Sequence, residues 1–140
     1  MLVNLQSALK SGHVLHAFRA ANGLRVVRLE TSGTCQLLAY GEHPHIEHAF
    51  LHADEDFRLG RRRYDDVYGE GRPYHRYPSG SDEVSSALDR ILVEGGRVSA
   101  EFSGGRFVLK VLERTAESSA ERLVSYTAPG LAAAVAAVEG

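Results

Sequence analysis

The sequence has 140 residues, of which 44% are apolar and 24% are charged, and its formal net charge is −2. This length fits one ordinary domain, and the composition excludes a disordered or fibrous chain. No apolar run reaches the ~18–20 residues of a membrane span. The N-terminus lacks the pattern of a signal peptide, so we expect a cytoplasmic protein. The near-neutral charge argues against a general polyanion binder.

The single cysteine, Cys35, excludes an intrachain disulfide and fits a reducing compartment. It lies beside the apolar run 37–40, and no nucleophile motif surrounds it. We therefore expect a half-buried structural thiol.

The first half of the chain predicts five elements from its apolar periodicity and its turn residues. In chain order they are a helix over 2–9, strands over 13–19, 24–30 and 36–40, and a helix from Pro44 to near Gly60. Asn22-Gly23 predicts a two-residue type I′ hairpin turn, because glycine and asparagine accept the positive φ that this turn needs. Gly41 is predicted to end the third strand.

The second half predicts the same order of elements. They are a helix from Ser81 that ends at Gly95-Gly96, strands over 97–103, 106–113 and 123–126, and a helix over 131–138. Gly104-Gly105 predicts a two-residue hairpin loop. A polar turn is predicted over 114–121.

Both halves therefore have the order α-β-β-β-α, and Gly12 of the first matches Gly96 of the second. We predict an α+β fold of two tandem α-β-β-β-α units, with antiparallel sheets and with the helices packed on one face. The units span residues 1–60 and 81–140, a connecting segment spans 61–80, and together they form one compact domain. Units of ~60 residues are marginal alone, so we expect each to need the other.

This order is also that of the double-stranded-RNA-binding domain, and the stretch from Tyr40-Gly41-Glu42 to Ala53 resembles HicB-type antitoxin domains, in which a helix with alanines packs on the sheet. The resemblance covers residues 13–57 and 97–138 and implies the topology of the two units. Residues 129–133 carry none of the basic side chains that the RNA-binding domain places at the start of its last helix. The resemblance therefore leaves the function open.

Four side chains on the predicted second helix have the spacing of metal ligands. His45, His48 and His52 fall within about 60° of one another at 100° per residue, and Asp56 continues the i, i+4 ridge. Zinc and other divalent ions accept imidazole and carboxylate ligands. The pattern predicts a metal site at these four residues, and a solvated polar face with several histidines is the alternative.

The segment from Arg58 to Gly80, called the Arg/Tyr segment, carries six arginines, three acidic residues and four of the six tyrosines. Arginines that track phosphates and rings that stack on bases are typical of proteins that bind single-stranded nucleic acid. The residues predicted to bind nucleic acid or a protein partner are Arg58, Arg61, Arg62, Arg63, Tyr64, Arg72, Tyr74, Arg76 and Tyr77. The alternative is a linker whose tyrosines pack onto the two units.

Two strands of the second unit are apolar on both faces. Val108 and Leu112 alternate with Phe107 and Leu109, and such strands need cover on both sides. Helices can cover one side, and the other unit or a second chain can cover the other. This pattern predicts a protein partner or self-association.

No GxSxG, P-loop or Rossmann pattern occurs, so we expect no enzymatic activity and no cofactor apart from the divalent metal of the histidine site. The sequence favours a non-enzymatic cytoplasmic binding or adaptor protein. One alternative is an antitoxin-like, nucleic-acid-binding regulator that uses the Arg/Tyr segment. The other is a metal-binding protein that uses the helix histidines.

Overall fold

The computed structural model describes residues 2–59, 82–115 and 118–138. In chain order its elements are α1 (Val3–Lys10), β1 (Val14–Arg19), β2 (Arg25–Glu30), β3 (Leu37–His43), α2 (Ile46–Arg58), α3 (Asp82–Val93), β4 (Arg97–Ser103), β5 (Arg106–Thr115), β6 (Ser118–Ala128) and α4 (Leu131–Ala136). The described elements confirm the predicted mixed α+β class. None of the described helices is long and apolar enough to cross a membrane.

The six strands form one antiparallel sheet in the order β3-β2-β1-β4-β5-β6. Each half of the chain contributes three consecutive strands, and the halves join where β1 pairs with β4. In that join Leu15 lies opposite Ala100, and Ala17 lies opposite Val98. The predicted antiparallel sheets are thus a single sheet.

One face of this sheet carries the core. Alternate residues of its strands, such as Leu15, Leu29 and Leu109, are fully buried. Successive side chains of a strand point to opposite faces, so every second residue is buried when one face is covered. The apolar sides of the four described helices join them in one cluster. The helical members of that cluster are Leu5, Ala8, Leu9, Ile46, Ala49, Phe50, Ala53, Leu88, Ile91, Leu92, Leu131 and Ala134. On the opposite side of β4, β5 and β6, Arg97 and Leu123 are exposed, and we call that side of the sheet the open face.

A glycine lets α2 pack directly on β3. A Cβ atom on Gly41 would lie 2.1 Å from the Ala49 oxygen and 2.6 Å from the Ala53 nitrogen, so only glycine allows the two backbones to approach this closely. The strand continues through Gly41 to His43. The predicted strand end at Gly41 is wrong, because this glycine serves a close contact and not a turn.

The two hairpin predictions had different outcomes. Gly104 and Gly105 have positive φ values of 62° and 79° and form the predicted two-residue loop. Between β1 and β2, Gly23 has positive φ but Asn22 does not, and the Asn22 side chain accepts a hydrogen bond from the Leu24 N–H. The type I′ prediction is wrong there, since the loop spans residues 20–24.

The polar turn predicted over 114–121 is also wrong. β5 extends to Thr115 and β6 begins at Ser118, so most of these residues belong to strands. Arg114 and Glu121 face each other in this longer hairpin and form an ion pair at 3.1 Å. Cross-strand pairs of opposite charge stabilise such a pairing.

Side chains on neighbouring helices satisfy backbone N–H groups at helix starts. Asp54 of α2 accepts hydrogen bonds from the Leu5 N–H at 2.8 Å and from the Asn4 side chain at 3.0 Å. Gln6 of α1 accepts one from the Leu131 N–H at 3.0 Å. The N-cap residues of α1 and α4 make no side-chain cap of their own, so these contacts tie α1, α2 and α4 together.

Candidate functional site

The predicted histidine stripe lies along one edge of the sheet. His48, His52 and Asp56 share a ridge of α2 that faces β3, the edge strand beyond β2. The Asp56 carboxylate accepts a hydrogen bond from the Tyr40 N–H at 2.9 Å. The His52 Nδ1 atom lies 3.5 Å from the Glu42 nitrogen and 3.3 Å from the Glu42 oxygen.

The geometry of a helix beside a strand explains these contacts. Four residues of a helix advance about 6 Å, and two residues of a strand advance about 6.7 Å, so the ridge meets alternate strand positions. The side chains of α2 thereby cap outward-facing backbone groups of β3. Natural sheets protect their edges from pairing with other chains by covers of this kind. The stripe therefore has a structural role that its spacing alone did not predict.

A buried histidine pair lies at the corner between β3 and α2. His43 and His48 are only 5% and 6% exposed. The His45 N–H donates to the His43 Nδ1 atom at 3.0 Å, which leaves the proton of a neutral His43 ring on Nε2. That Nε2 atom lies 3.3 Å from the His48 Nδ1 atom, so the His43 ring is positioned to donate to His48. Burial, followed by the neighbouring His48, His45 and His52 rings, lowers the pKa of His43 to about 4.

The four predicted metal ligands differ in their surroundings. The His48 Nδ1 atom, the His52 Nδ1 atom and the Asp56 carboxylate already have hydrogen-bonding contacts, while His45 is exposed. Across the described ranges, no three His, Cys, Asp or Glu side chains are placed to hold a metal ion. The metal site stays a prediction from spacing.

Only Arg58, among the nine residues predicted to bind nucleic acid or a protein partner, belongs to the described part of the chain. It is exposed at the end of α2 and forms an ion pair with Glu55 on the same helix. The other eight lie outside the described residues, as does the connecting segment 61–80: Arg61, Arg62, Arg63, Tyr64, Arg72, Tyr74, Arg76 and Tyr77. The nucleic-acid interface therefore stays a prediction.

Cys35 lies in the loop between β2 and β3, with a positive φ of 55°. Its side chain is exposed. The predicted half-buried thiol is wrong, because the strand that contains the apolar run begins only at Leu37.

A second candidate site lies on the open face, over β1, β4, β5 and β6. The strand register places Arg97, Leu112 and Leu123 in one cross-strand row. The next row contains His16, Ser99, Lys110 and Ser125. The two rows form an open groove of about 280 Å³. Its lining residues are His16, Arg97, Val98, Ser99, Lys110, Leu112 and Leu123.

This groove joins an exposed apolar side chain to an exposed cation. Leu123 is 62% exposed, and Leu112 beside it is partly exposed. Lys110 pairs with Glu101 at 3.1 Å. Arg97 is exposed, and no acidic side chain in the described part of the chain forms an ion pair with it. The groove can accept a ligand that combines an apolar group with a carboxylate.

Sequence reasoning named no groove residue as a site residue. The one sequence pattern that pointed to this surface is in β5, where apolar residues occur on both faces of the strand. That pattern predicted a surface that another element or chain must cover. His16, Arg97 and Lys110 come together because strands that are far apart in the chain pair in one register. Local sequence patterns do not determine that pairing. No family model, curated protein or solved structure matches this chain.

Proposed function

We propose that this protein is a non-enzymatic binding module whose open face takes a segment of a protein partner. The proposal depends most on one observation, the exposed Leu123 beside a groove that contains the exposed cation Arg97. The partner segment places apolar side chains against Leu112 and Leu123 and a carboxylate near Arg97.

The chemistry of protein interfaces supports this choice. A single exposed leucine is common on protein surfaces, so the adjoining groove and cation matter more than Leu123 alone. Arginine is enriched at interfaces and among the residues that dominate binding energy. Lys110 pairs with Glu101, and Arg97 forms no ion pair with the residues that the structure describes. The charge that Arg97 presents in the groove is positive, so charge complementarity favours an acidic segment.

Peptide selection with the purified full chain tests the proposal. We expect a displayed random library to be enriched in peptides that combine acidic and large apolar residues. Fluorescence polarisation should then show that Leu123→Asp weakens binding by about tenfold or more, because it removes the apolar contact and repels the acid. Arg97→Ala should weaken binding by about fivefold, the upper range for an exposed ion pair.

Two matched control variants lie in the helix layer. Val93 of α3 is an apolar side chain with 49% exposure, and Arg90 of the same helix is an exposed cation. Val93→Asp and Arg90→Ala should leave the affinity unchanged. No enrichment over background, or equal affinity for the parent and Leu123→Asp, would contradict the proposal.

We also propose that the chain consists of two tandem α-β-β-β-α units over residues 1–60 and 81–140, joined by 61–80. The order of elements supports it, because it runs α1-β1-β2-β3-α2 and then α3-β4-β5-β6-α4. The sheet supports it as well, since the first strand of each unit lies at the centre and the third strand at an edge.

The two alternative functions use other parts of the chain. Nucleic-acid binding depends on the Arg/Tyr segment, and anisotropy with labelled oligonucleotides at low salt tests it because low salt favours phosphate contacts. Metal binding depends on the histidine stripe, and metal analysis of the purified protein tests it. Neither activity should respond to Leu123→Asp, which separates both from binding at the open face.

A further inference from the structure

The groove on the open face runs across the strands. One of its rows contains Arg97, Leu112 and Leu123, which the pairings of β4 with β5 and of β5 with β6 place side by side. Adjacent strands lie about 4.8 Å apart, so this row extends for about 10 Å from Leu123 to Arg97. A segment that contacts all three side chains therefore lies over the face of the sheet and crosses three strands.

The strands beneath the groove cannot supply main-chain hydrogen bonds to such a segment. β4 pairs with β1 and β5, and β5 pairs with β4 and β6. Hydrogen bonds between strands lie in the plane of the sheet, so the N–H and C=O groups of β4 and β5 point to their neighbours and not out of the open face. A segment on this face has to satisfy its own backbone groups, and an α-helix does so internally.

We propose that the partner segment binds the open face as an amphipathic helix that carries an acidic side chain. This inference rests on the proposed function, because it specifies the conformation of the same segment at the same groove. An amphipathic helix lays its apolar face into a groove while its polar face stays in water. The two rows of the groove are about 6.7 Å apart, which is narrower than a helix of about 10 Å, so only side chains of the helix enter it.

The spacing of the row specifies the side chains of that helix. Leu123 and Leu112 are one strand spacing apart, which is close to the distance of about 5–6 Å between helix residues three or four apart. Arg97 lies about 10 Å from Leu123, and seven residues of a helix advance about 10.5 Å. The recognised helix therefore has apolar side chains at i and at i+3 or i+4, and a carboxylate at i+7, or the same set in reverse order.

The charges of the open face favour a different protein over a second copy of this chain. Two copies related by a twofold axis present the same face to each other, so the carboxylate for Arg97 would have to come from the open face. The described acidic side chains of that face each have a partner on it. The pairs are Arg28–Glu30, Tyr40–Glu42, Lys110–Glu101 and Arg114–Glu121. We therefore expect the acid that Arg97 attracts to come from another protein.

A substitution scan along a selected peptide tests the helical conformation. Alanine should weaken binding by about fivefold or more at i, at i+3 or i+4 and at i+7, and should leave the positions between them within about twofold. Proline at a central position that faces solvent should weaken binding by about 30-fold or more, because it breaks the helix. Alanine at that same position is the matched control and should leave the affinity unchanged.

A charge exchange tests the position of the acid. Arg97→Glu should weaken the acidic peptide by about tenfold and should strengthen a peptide with lysine at i+7 by a similar factor, since the favourable pair is restored. Arg106→Glu is the matched control, because Arg106 is also exposed on the open face but lies at the start of β5. It is about 20 Å along the strands from Arg97, beyond the screening length, and should change neither affinity. An equal effect of Arg97→Glu on both peptides would overturn the proposed spacing.

The remaining outcomes separate this inference from the proposed function. If the sensitive positions alternate every second residue and the central proline is tolerated, while Leu123→Asp still abolishes binding, the helix is overturned and the proposed function stands. If no selected peptide depends on Leu123, both fail. If light scattering shows a dimer of this chain that Leu123→Asp dissociates and that the peptide does not displace, the occupant is a second copy and the inference is overturned.

Discussion

At the scale of single residues, the buried His43 makes the fold sensitive to acid. Its pKa is lowered from 6.5 to about 4, so the native state holds the ring neutral where the unfolded chain would protonate it. The contribution of the neutral His43 ring to the free energy of unfolding is complete above about pH 6.5. It is lost as the pH falls toward 4, by up to about 1.4 kcal/mol per pH unit.

We expect the free energy of unfolding to fall by about 3 kcal/mol more between pH 7 and pH 4 for the parent than for His43→Asn. Asparagine keeps an acceptor for the His45 N–H but does not titrate. Urea unfolding at several pH values measures the difference. His13→Gln, just before β1, is the control and should retain the slope of the parent. A slope for His43→Asn equal to that of the parent would show that His43 does not carry the acid sensitivity.

Gly41 is a second position where one residue determines the packing. Gly41→Ala should cost about 3 kcal/mol of stability, because its Cβ atom would overlap backbone atoms of α2 that cannot move aside. Chemical denaturation measures this cost. At Gly130 the nearest atom to an added Cβ is the Gln6 Oε1 at 3.5 Å, so Gly130→Ala should cost less than about 1 kcal/mol. Similar costs for the two variants would refute the close approach of α2 to β3.

Predictions for single residues were confirmed where the residue determines only its own backbone conformation. Gly104 and Gly105 form the expected loop because positive φ is a local property. The roles of Gly41 and His43 depend on how α2 lies against β3, and the helical spacing of the histidines does not encode that contact. The same limit explains why the stripe predicted a metal site while its ridge caps β3.

At the scale of elements, the helices depend on one another for their caps. Gln6→Ala should cost about 1 kcal/mol, since it leaves the Leu131 N–H without its acceptor. Amide hydrogen exchange should also become faster in α4 than elsewhere. Ser7→Ala, at an exposed position of the same helix, should stay within about 0.5 kcal/mol of the parent. Unchanged exchange in α4 for Gln6→Ala would contradict the capping role.

The positions of most elements were predictable from periodicity. β4 was predicted at residues 97–103, where it lies, because its apolar and polar residues alternate without interruption. β6 was predicted at 123–126 but extends from Ser118 to Ala128. Its polar start lacks the apolar signal, and pairing with β5 recruits it into the sheet. Strand length here follows from tertiary contacts more than from local sequence.

At the scale of the whole molecule, the β1–β4 join and the shared core couple the two halves. The core cluster runs without a break from Leu15 and Val27 of the first half to Val98 and Leu109 of the second. We therefore expect a single cooperative unfolding transition, seen alike by circular dichroism and by tyrosine fluorescence. A fragment of residues 1–60 should remain unfolded, since units of ~60 residues bury too little surface alone. Two separate transitions, or a folded fragment, would contradict this coupling.

The central claim concerns the whole molecule as well, because the helices occupy one face of the sheet and the partner is expected on the other. Mapping amide chemical shifts during titration with a selected peptide tests it most directly. We predict that the shifts that change cluster in β4, β5 and β6 around Leu123 and Arg97, while the α1 and α3 resonances stay in place. Changes centred on the helices, with the β6 resonances unaffected, would contradict the account.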